Sequence, residues 1–432
     1  MNSPKKSTGT SIKAIRAREI LDSRGNPTVE VEVWVGTAMG RAMAPSGAST
    51  GIHEALELRD RDKSRYAGKG VLKAVNSVNA KIAKAIIGLD CAKQEEIDKV
   101  IIELDGTENK TNLGANATVA TSIAVAKCAA KCKGIPLYKS FNLQASLLPV
   151  PMLNVLNGGK HAGTKLSPQE FMIMPIGAPN FREALRMAAE TYHVLAEIVK
   201  ERYGVSAKNV GDEGGYAPNM KMTSEALECL MKAVETAGYS KEISLAIDPA
   251  ASSFYDTDQK KYFLDGKNMT APELVDFWAE VADEYPIVSI EDPFQEEDFE
   301  SFAALTERIG SCVQIVGDDI FVTNVKRIKT GIEKRAANSV LIKLNQVGTI
   351  TETINAMDLA RSNGWTTVVS HRSGETEDST IADLVVGLGT GQIKAGAPAR
   401  GERTAKYNQL LRIEEELESN AKYAGRNFRL LR

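Results

Sequence analysis

Six short apolar segments in the later part of the chain each end at a charged or polar residue. Such unbroken apolar runs are typical of strands that are buried on both faces. Their last residues follow one another at intervals of 23 to 43 positions, enough for one strand and one crossover helix. Helix-like sequences fill most intervals, so the pattern predicts alternating strands and helices in a parallel sheet that closes as a barrel. The segments are 244–248, 287–291, 313–318, 339–343, 367–371 and 391–394.

Three successive segments end in acids, namely Asp248, Glu291 and Asp318. The carboxyl ends of barrel strands gather at one face, so we expect these acids to converge there. Like charges at close range need a counter-charge, and a divalent cation bound by oxygens supplies one. Mg²⁺ is the first candidate because no pair of cysteines or histidines competes for zinc. Ordinary solvated turn residues are the alternative for any one acid. The basic residues after them are expected to face the acids and hold an anionic substrate: Lys343, His371, Arg372 and Lys394.

The composition limits the class of protein. Of 432 residues, 43% are hydrophobic and 25% are charged, with a net charge of −3, which argues against a general nucleic-acid or membrane surface. The five cysteines are scattered and odd in number, so we expect a reducing compartment, the cytoplasm, and no disulfide framework. No run of about 18 apolar residues is present to span a bilayer. Residues 1–11 are rich in Lys, Ser and Thr and predict a disordered tail rather than a secretory signal.

Residues 12–146 predict a smaller N-terminal α+β domain, and residues 147–432 predict the barrel domain. Alternating segments around the turn at 22–27 indicate an antiparallel meander. The small-residue segment 45–51 lacks the Gly-Lys-Ser/Thr ending of a phosphate loop, which leaves a flexible surface loop or a moving lid. Cys128 and Cys132 lie on one face of an alanine-rich helix. They are either half of a metal site or, the favoured interpretation, small thiols that fill the core.

Three further positions are chemically notable. Glu170 interrupts an otherwise apolar strand, and a carboxylate buried there has to be paired or protonated. Glu213 follows Asp212 and precedes two glycines, which could be a mere turn. His161, taken alone, is more often a hydrogen-bonded loop histidine than a catalytic one. The last helix, predicted over 403–418, is strongly charged, which predicts an outer-face or terminal element.

Several stretches resemble the enolase family, and the resemblance runs nearly end to end. Any one stretch could arise by chance, but their order along two domains is specific. They are EILDSRGNP at 19–27, PSGASTG at 45–51, GDEGG at 211–215, SIEDPF at 289–294 and SHRSGETED at 370–378.

The resemblance implies an eight-fold, enolase-type βα barrel that departs from strict alternation near its start. It implies interconversion of 2-phosphoglycerate and phosphoenolpyruvate with two Mg²⁺ ions per site, usually in a homodimer. It further implies that Lys343 removes the C2 proton, and that Glu213, beside Glu170, protonates the departing hydroxyl. By the same resemblance, Asp248, Glu291 and Asp318 hold the first ion, and Ser49 helps to hold the second. Substrate contacts would come from His161, His371 and Lys394, and the phosphate would be held by Arg372 and Ser373.

Two other functions were weighed against this one. A barrel enzyme for a non-phosphorylated acid, such as a sugar acid, is disfavoured by the pair Arg372 and Ser373. Plasminogen binding, known for enolase-like proteins on cell surfaces, is often tied to a C-terminal lysine. This chain ends in Arg432, so that feature is missing.

Overall fold

The computed structural model describes residues 9–47, 51–159, 163 and 165–430, arranged in two compact units. The first unit comprises Met1–Ala145, Lys343–Asn355 and Arg372–Leu388. The second comprises Ser146–Ile342, Ala356–His371 and Gly389–Arg432. Among the described residues, none of the helices combines the length and the apolar character needed to cross a membrane.

The first unit opens with the predicted antiparallel meander, formed by β1 (Ala14–Leu21), β2 (Pro27–Val35) and β3 (Ala38–Met43). The Asp22 carboxylate closes the first turn by accepting hydrogen bonds from the backbone N–H groups of Arg24 and Asn26, at 2.8 and 2.9 Å. Ser11, the last residue of the predicted N-terminal tail, is buried and forms an isolated β-bridge with Asp90. Residues 1–8 of that tail lie outside the described part of the chain.

Helices cover this meander. They are α1 (Leu72–Asn76), a π-helical turn (Ser77–Ile82), α2 (Ala83–Ile86), α3 (Gln94–Asp105), α4 (Ala115–Lys133) and α5 (Leu137–Phe141). The alanine-rich α4 is buried over most of its length and ends at Gly134, which adopts a φ of 65°. Gly40 of β3 allows the closest approach, because a Cβ there would lie 2.0 Å from the carbonyl oxygen of Ala124. Small residues therefore let this helix lie directly on the sheet.

The remaining strands belong to the second unit. They are β4 (Leu147–Leu148), β5 (Val150–Asn157), β6 (Glu170–Met174), β7 (Ser244–Asp248), β8 (Tyr255–Asp256), β9 (Lys261–Leu264), β10 (Lys267–Met269), β11 (Ile287–Glu291), β12 (Gln314–Gly317), β13 (Ser339–Ile342), β14 (Thr366–Ser370), β15 (Gln392–Lys394) and β16 (Lys422–Tyr423). The remaining α-helices of the described residues, which are divided between the two units, are α6 (Phe181–Tyr203), α7 (Thr223–Ala237), α8 (Ala271–Glu284), α9 (Phe299–Ile309), α10 (Val325–Lys334), α11 (Leu344–Val347), α12 (Ile350–Ser362), α13 (Thr380–Gly387) and α14 (Gly401–Leu417).

Eight strands close into the predicted barrel, in the order β11-β12-β13-β14-β15-β5-β6-β7. All six segments predicted from their apolar runs are barrel strands. Seven strands are parallel to one another, and β6 runs antiparallel to both of its neighbours. This is the departure from strict alternation that the resemblance implies. Apolar side chains such as Met152, Met172 and Leu341 form the core of the barrel unit.

A hydrogen-bonded polar layer also lies among the barrel strands. Gln314 donates to Ser289 at 3.1 Å and to Gln392 at 2.9 Å, and it accepts from Thr366 at 2.8 Å. All four side chains are buried. Because each amide finds partners within the layer, these polar groups avoid the cost of burial without hydrogen bonds.

The reversed strand β6 has a direct consequence for chemistry. Its first residue, Glu170, pairs in register with Asp248, which is the last residue of the parallel strand β7. An antiparallel strand places its start where parallel strands place their ends. Glu170 therefore joins the acids at the carboxyl end of the barrel strands, where barrel enzymes keep their active sites.

Candidate active site

The Lys394 side chain, at the end of β15, lies at the centre of a buried cluster of carboxylates. Its Nζ lies 2.9 Å from Asp248 Oδ2, 2.8 Å from Glu291 Oε1 and 3.2 Å from Glu170 Oε2. The lysine and these three acids are each less than 5% exposed. The lysine ammonium is thus a counter-charge for the acids that end β7 and β11 and begin β6.

The charges in this cluster shift the pKa values strongly. Burial alone would lower the pKa of Lys394, but the charges of Asp248, Glu170 and Glu291 outweigh burial and raise it well above 10.5. Burial raises the pKa of Glu291 well above its usual value, and Asp248 raises it further. Burial and then the Glu213 charge do the same to Glu170. Three carboxyl groups thus face one ammonium group, and an additional cation would favour the charged form of these acids.

Asp318 follows β12 and is positioned by Asp292, which follows the neighbouring strand β11. The two oxygens of the Asp292 carboxylate accept hydrogen bonds from the backbone N–H groups of Asp318, at 2.9 Å, and of Asp319, at 2.7 Å. Carboxylate oxygens of these three residues lie within 4.8 Å of one another, close enough to share a metal ion. Asp292 holds a φ of 40°, a strained value of the kind found at functional sites. The charge of Asp318 also contributes to the raised pKa of Glu291, so it belongs to the same group of acids.

Glu213 lies in a loop shaped by two glycines. Gly214 adopts a φ of 88°, and a Cβ at Gly215 would lie 2.5 Å from Asn157 Oδ1. The loop is held because the Glu213 carbonyl oxygen accepts a hydrogen bond from the Ala397 N–H at 2.9 Å. The Glu213 carboxylate accepts a hydrogen bond from Asn154 Nδ2 at 3.0 Å.

Glu213 lies close enough to Glu170 for its charge, after burial, to raise the pKa of the Glu170 carboxyl group. Two like charges at close range disfavour ionisation of both groups, so a shared proton on this pair is favoured.

His371 follows β14 and lies between Arg403 and Glu213. Arg403 Nη1 is 2.7 Å from His371 Nδ1, and His371 Nε2 is 3.4 Å from Glu213 Oε2. A guanidinium group can only donate, so His371 Nδ1 must accept and the proton of the neutral ring sits on Nε2. Arg403 is fully buried and also donates to the Asp212 carbonyl oxygen at 2.9 Å. It thereby orients both His371 and the loop that carries Glu213.

Three of the predicted site residues that the structure describes belong to the first unit. Lys343 is half-buried and connects β13 to α11. The Arg372 guanidinium contacts both oxygens of the Glu54 carboxylate, at 2.9 and 3.2 Å, and Asn345 Oδ1 at 3.1 Å. Ser373, the next residue, is buried. Glu54 and Asn345 line a cavity of about 390 Å³.

Within the second unit the structure thus brings together most of the predicted site: Glu170, Glu213, Asp248, Glu291, Asp318, His371 and Lys394. Ser49 and His161 lie outside the described residues. Two contributors were missed. Asp292 belongs to the motif at 289–294, but its role depends on hydrogen bonds that its carboxylate accepts from the backbone of Asp318 and Asp319. Arg403 lies on the last helix, which the sequence predicts as an outer-face or terminal element, and α14 turns Arg403, Lys406 and Tyr407 into the protein interior.

Comparison with known proteins agrees with this geometry. Residues 145–431 match the family described as enolase, C-terminal TIM barrel domain, and residues 12–141 match enolase, N-terminal domain. Proteins named enolase from Methanocaldococcus jannaschii and Thermococcus gammatolerans are 60% and 59% identical over 97% of this chain and 98% of their own length. The enolase of Pyrococcus furiosus is 58% identical over the same shares. The chain belongs to the enolase family.

Proposed function

We propose that the protein interconverts 2-phosphoglycerate and phosphoenolpyruvate, with proton transfers assigned to Lys343 and to the pair Glu170 and Glu213. The activity follows from family membership across nearly the whole chain. The observation that most directly supports the assignment of residues is the buried cluster around Lys394, in which acids outnumber the ammonium group. Formation of phosphoenolpyruvate from 2-phosphoglycerate, followed by ultraviolet absorbance, tests the activity directly.

Lys343 is proposed as the base for the first step. It takes the proton from C2 of 2-phosphoglycerate, and the electron pair of the broken C–H bond stays on C2. This proton is weakly acidic because its loss adds charge to a molecule that already carries a carboxylate. The position of Lys343 supports the role, since it directly follows barrel strand β13 and barrel enzymes draw catalytic groups from strand ends.

The pair Glu170 and Glu213 is proposed to complete the reaction. The C2 electron pair forms the C2–C3 double bond while the C3–O bond breaks, and Glu213 gives its proton to the departing hydroxide, which leaves as water. A general acid must hold a proton near neutral pH, and burial beside a second carboxyl group favours this. The raised pKa of Glu170, caused by burial and then by the Glu213 charge, supports the assignment.

The donor set of the second unit suits magnesium. Its candidate ligands are all carboxylate oxygens, which hard divalent cations prefer. Asp248, Glu291 and Asp318 would hold one Mg²⁺, and Ser49 with substrate oxygens would hold a second. A bound divalent cation supplies positive charge that stabilises the extra negative charge on the substrate carboxylate. Lys394 would then bind the substrate carboxylate region, and His161 and His371 would contact substrate.

Arg372 and Ser373 are proposed to hold the substrate phosphate. Arg372 binds the Glu54 carboxylate through two nitrogens, which is the geometry that a guanidinium also uses for phosphate. A phosphate group could therefore replace Glu54 as its partner. The pair Arg372 and Ser373 is the feature that favours a phosphorylated substrate over a plain sugar acid.

Removal of divalent cations is expected to abolish activity, and Mg²⁺ is expected to restore it. The reason is that the acids outnumber the single ammonium group of Lys394. Their remaining negative charge has to be offset by a cation before an anionic substrate can approach. Absorbance at saturating 2-phosphoglycerate, before and after dialysis against a chelator, provides the measurement. Full activity after exhaustive chelation would exclude the metal from the mechanism, and restoration by K⁺ alone would show a requirement for ionic strength only.

Replacing Arg403 with glutamine is expected to lower kcat/KM by about 10- to 100-fold, the usual loss when a group that orients a site residue is removed. Without the guanidinium donor, the His371 proton is no longer confined to Nε2. The chain has four histidines, so nitrogen NMR spectra of labelled imidazoles can follow this tautomer. Arg412→Gln, at an exposed position of the same helix, is the matched control. An unchanged tautomer and pH–rate profile in Arg403→Gln would contradict the positioning role.

We also propose that the enzyme is a cytoplasmic homodimer. The five cysteines are scattered along the sequence and form no disulfide in the structure, which is compatible with a reducing compartment. The dimer rests on family resemblance alone. Light scattering on the purified chain distinguishes the mass of a dimer from that of a monomer.

A further inference from the structure

Three of the five cysteines converge in the first unit. The sulfur atoms of Cys91, Cys128 and Cys132 lie within 4.8 Å of one another. Cys128 and Cys132 are one turn apart on α4, whereas Cys91 comes from the segment that precedes α3. Cys91 and Cys128 are fully buried, and Cys132 is partly exposed. None of the three belongs to the candidate active site.

The backbone of β3 lies close to Cys128. The Cys128 thiol donates a hydrogen bond to the Ala38 carbonyl oxygen at 3.8 Å. Gly40 makes this approach possible, because a Cβ at that position would lie 2.4 Å from the Cys128 backbone nitrogen. A bound metal would displace the thiol proton, because the thiolate is the form that binds metals.

The thiols also influence one another. The hydrogen bond from Cys91 lowers the pKa of Cys128 to about 7, and the same bond raises the pKa of Cys91. The three thiols are therefore close enough to act on one another. A cation that replaced their protons would bind all three sulfurs.

Charged groups and open space lie at the edge of the cluster. The carboxylate of Asp90 lies near Cys132 and is in turn near Lys93 and Lys133. These lysines can offset the negative charge left when three thiolates bind one divalent ion. A cavity of about 230 Å³ reaches Cys91 and is also lined by Lys133, which gives small ions a route inwards.

We propose that Cys91, Cys128 and Cys132 bind one thiophilic cation, zinc or copper(I), as three thiolates. Zinc–sulfur bonds of about 2.3 Å place the sulfurs of a tetrahedral site about 3.8 Å apart, within the spacing seen here. Binding releases the thiol protons to solvent. Zinc would complete its shell with water on the partly exposed side at Cys132, whereas copper(I) is satisfied by three sulfurs. The ion would join α4 to the segment before α3.

Titration of the reduced, chelator-treated full chain with Co²⁺ tests the site. We expect an intense thiolate-to-cobalt absorption band that saturates at one ion per chain and is bleached by Zn²⁺. Cobalt bound to carboxylates gives no such band, so the magnesium site does not interfere. A parallel titration with Cu(I) against a chromogenic chelator tells which ion is held more tightly.

Cys132→Ser is the informative variant, because Cys132 is partly exposed whereas Cys91 and Cys128 are buried in the core. It should lose the cobalt band while keeping its circular dichroism spectrum and its turnover of 2-phosphoglycerate. Cys312→Ser, at an exposed cysteine outside the cluster, should keep the band. The proposal is overturned if the wild-type protein shows no band, if Cys132→Ser retains it, or if mild oxidation converts two of the three thiols into a disulfide that Zn²⁺ does not prevent.

Discussion

Lys343→Ala is expected to abolish exchange of the C2 hydrogen of 2-phosphoglycerate with solvent and to lower kcat by about 10²- to 10⁴-fold, the usual contribution of a positioned base. Exchange reports the first proton transfer alone, because it requires removal of the proton but no loss of the C3 hydroxyl. Deuterium incorporation from heavy water, followed by NMR, measures it. Substrate affinity, measured by calorimetry, should change much less than kcat if the amine acts mainly as a base.

Lys329→Ala provides the control for Lys343→Ala, because Lys329 is an exposed lysine on α10. It should retain both exchange and turnover. Persistent exchange in Lys343→Ala would show that another group removes the C2 proton. Loss of exchange together with loss of substrate binding would instead assign Lys343 to binding.

Much of the barrel could be predicted because the sequence itself marks where each strand ends. Each apolar run is short, is buried on both faces and stops at a charged or polar residue, as at Asp248 and Lys394. The direction of β6 could not be predicted in this way. An apolar strand has the same composition in either direction, so only the family resemblance implied the departure that places Glu170 at the carboxyl end of the barrel.

The residues that were missed act through contacts that no local pattern contains. Arg403 lies on a helix with many charges, and only the fold turns this one side chain towards His371. Asp292 lies in the motif at 289–294, but its carboxylate accepts a hydrogen bond from the backbone N–H group of Asp318, which follows the neighbouring strand β12. Cys91 is distant in sequence from the other two cysteines of its cluster. Spacing reveals residues that share one element, and it does not reveal partners that tertiary packing supplies.

Lys394→Met is expected to lower the free energy of unfolding by about 3–5 kcal/mol, the usual cost of removing one partner from a buried ion pair. The ammonium group contacts Asp248, Glu291 and Glu170, and methionine leaves these acids buried without it. Denaturant titration at neutral pH without divalent cations measures the change. Lys232→Met, which removes an exposed pair with Glu235, should cost at most about 1 kcal/mol.

The loss in Lys394→Met should depend on pH in a defined direction. Burial already raises the folded-state pKa of Glu170 and Glu291 well above 4.5, so the folded protein binds protons there more readily than the unfolded chain. Their contribution to stability therefore falls as pH rises from about 4.5 towards the raised values. Removal of the ammonium raises these pKa values further. The difference between variant and wild type should be large at neutral pH and should shrink as pH approaches 4.5.

Magnesium should offset the destabilisation caused by Lys394→Met, because the ion supplies positive charge to the same carboxylates. A ligand that binds only the folded state stabilises it according to its concentration and affinity. Mg²⁺ is therefore expected to raise the melting temperature of Lys394→Met more than that of the wild-type protein, although activity remains low without the lysine. An equal rise in both proteins would mean that the ion binds away from these acids, and no destabilisation at neutral pH would mean that they are already neutral in the folded protein.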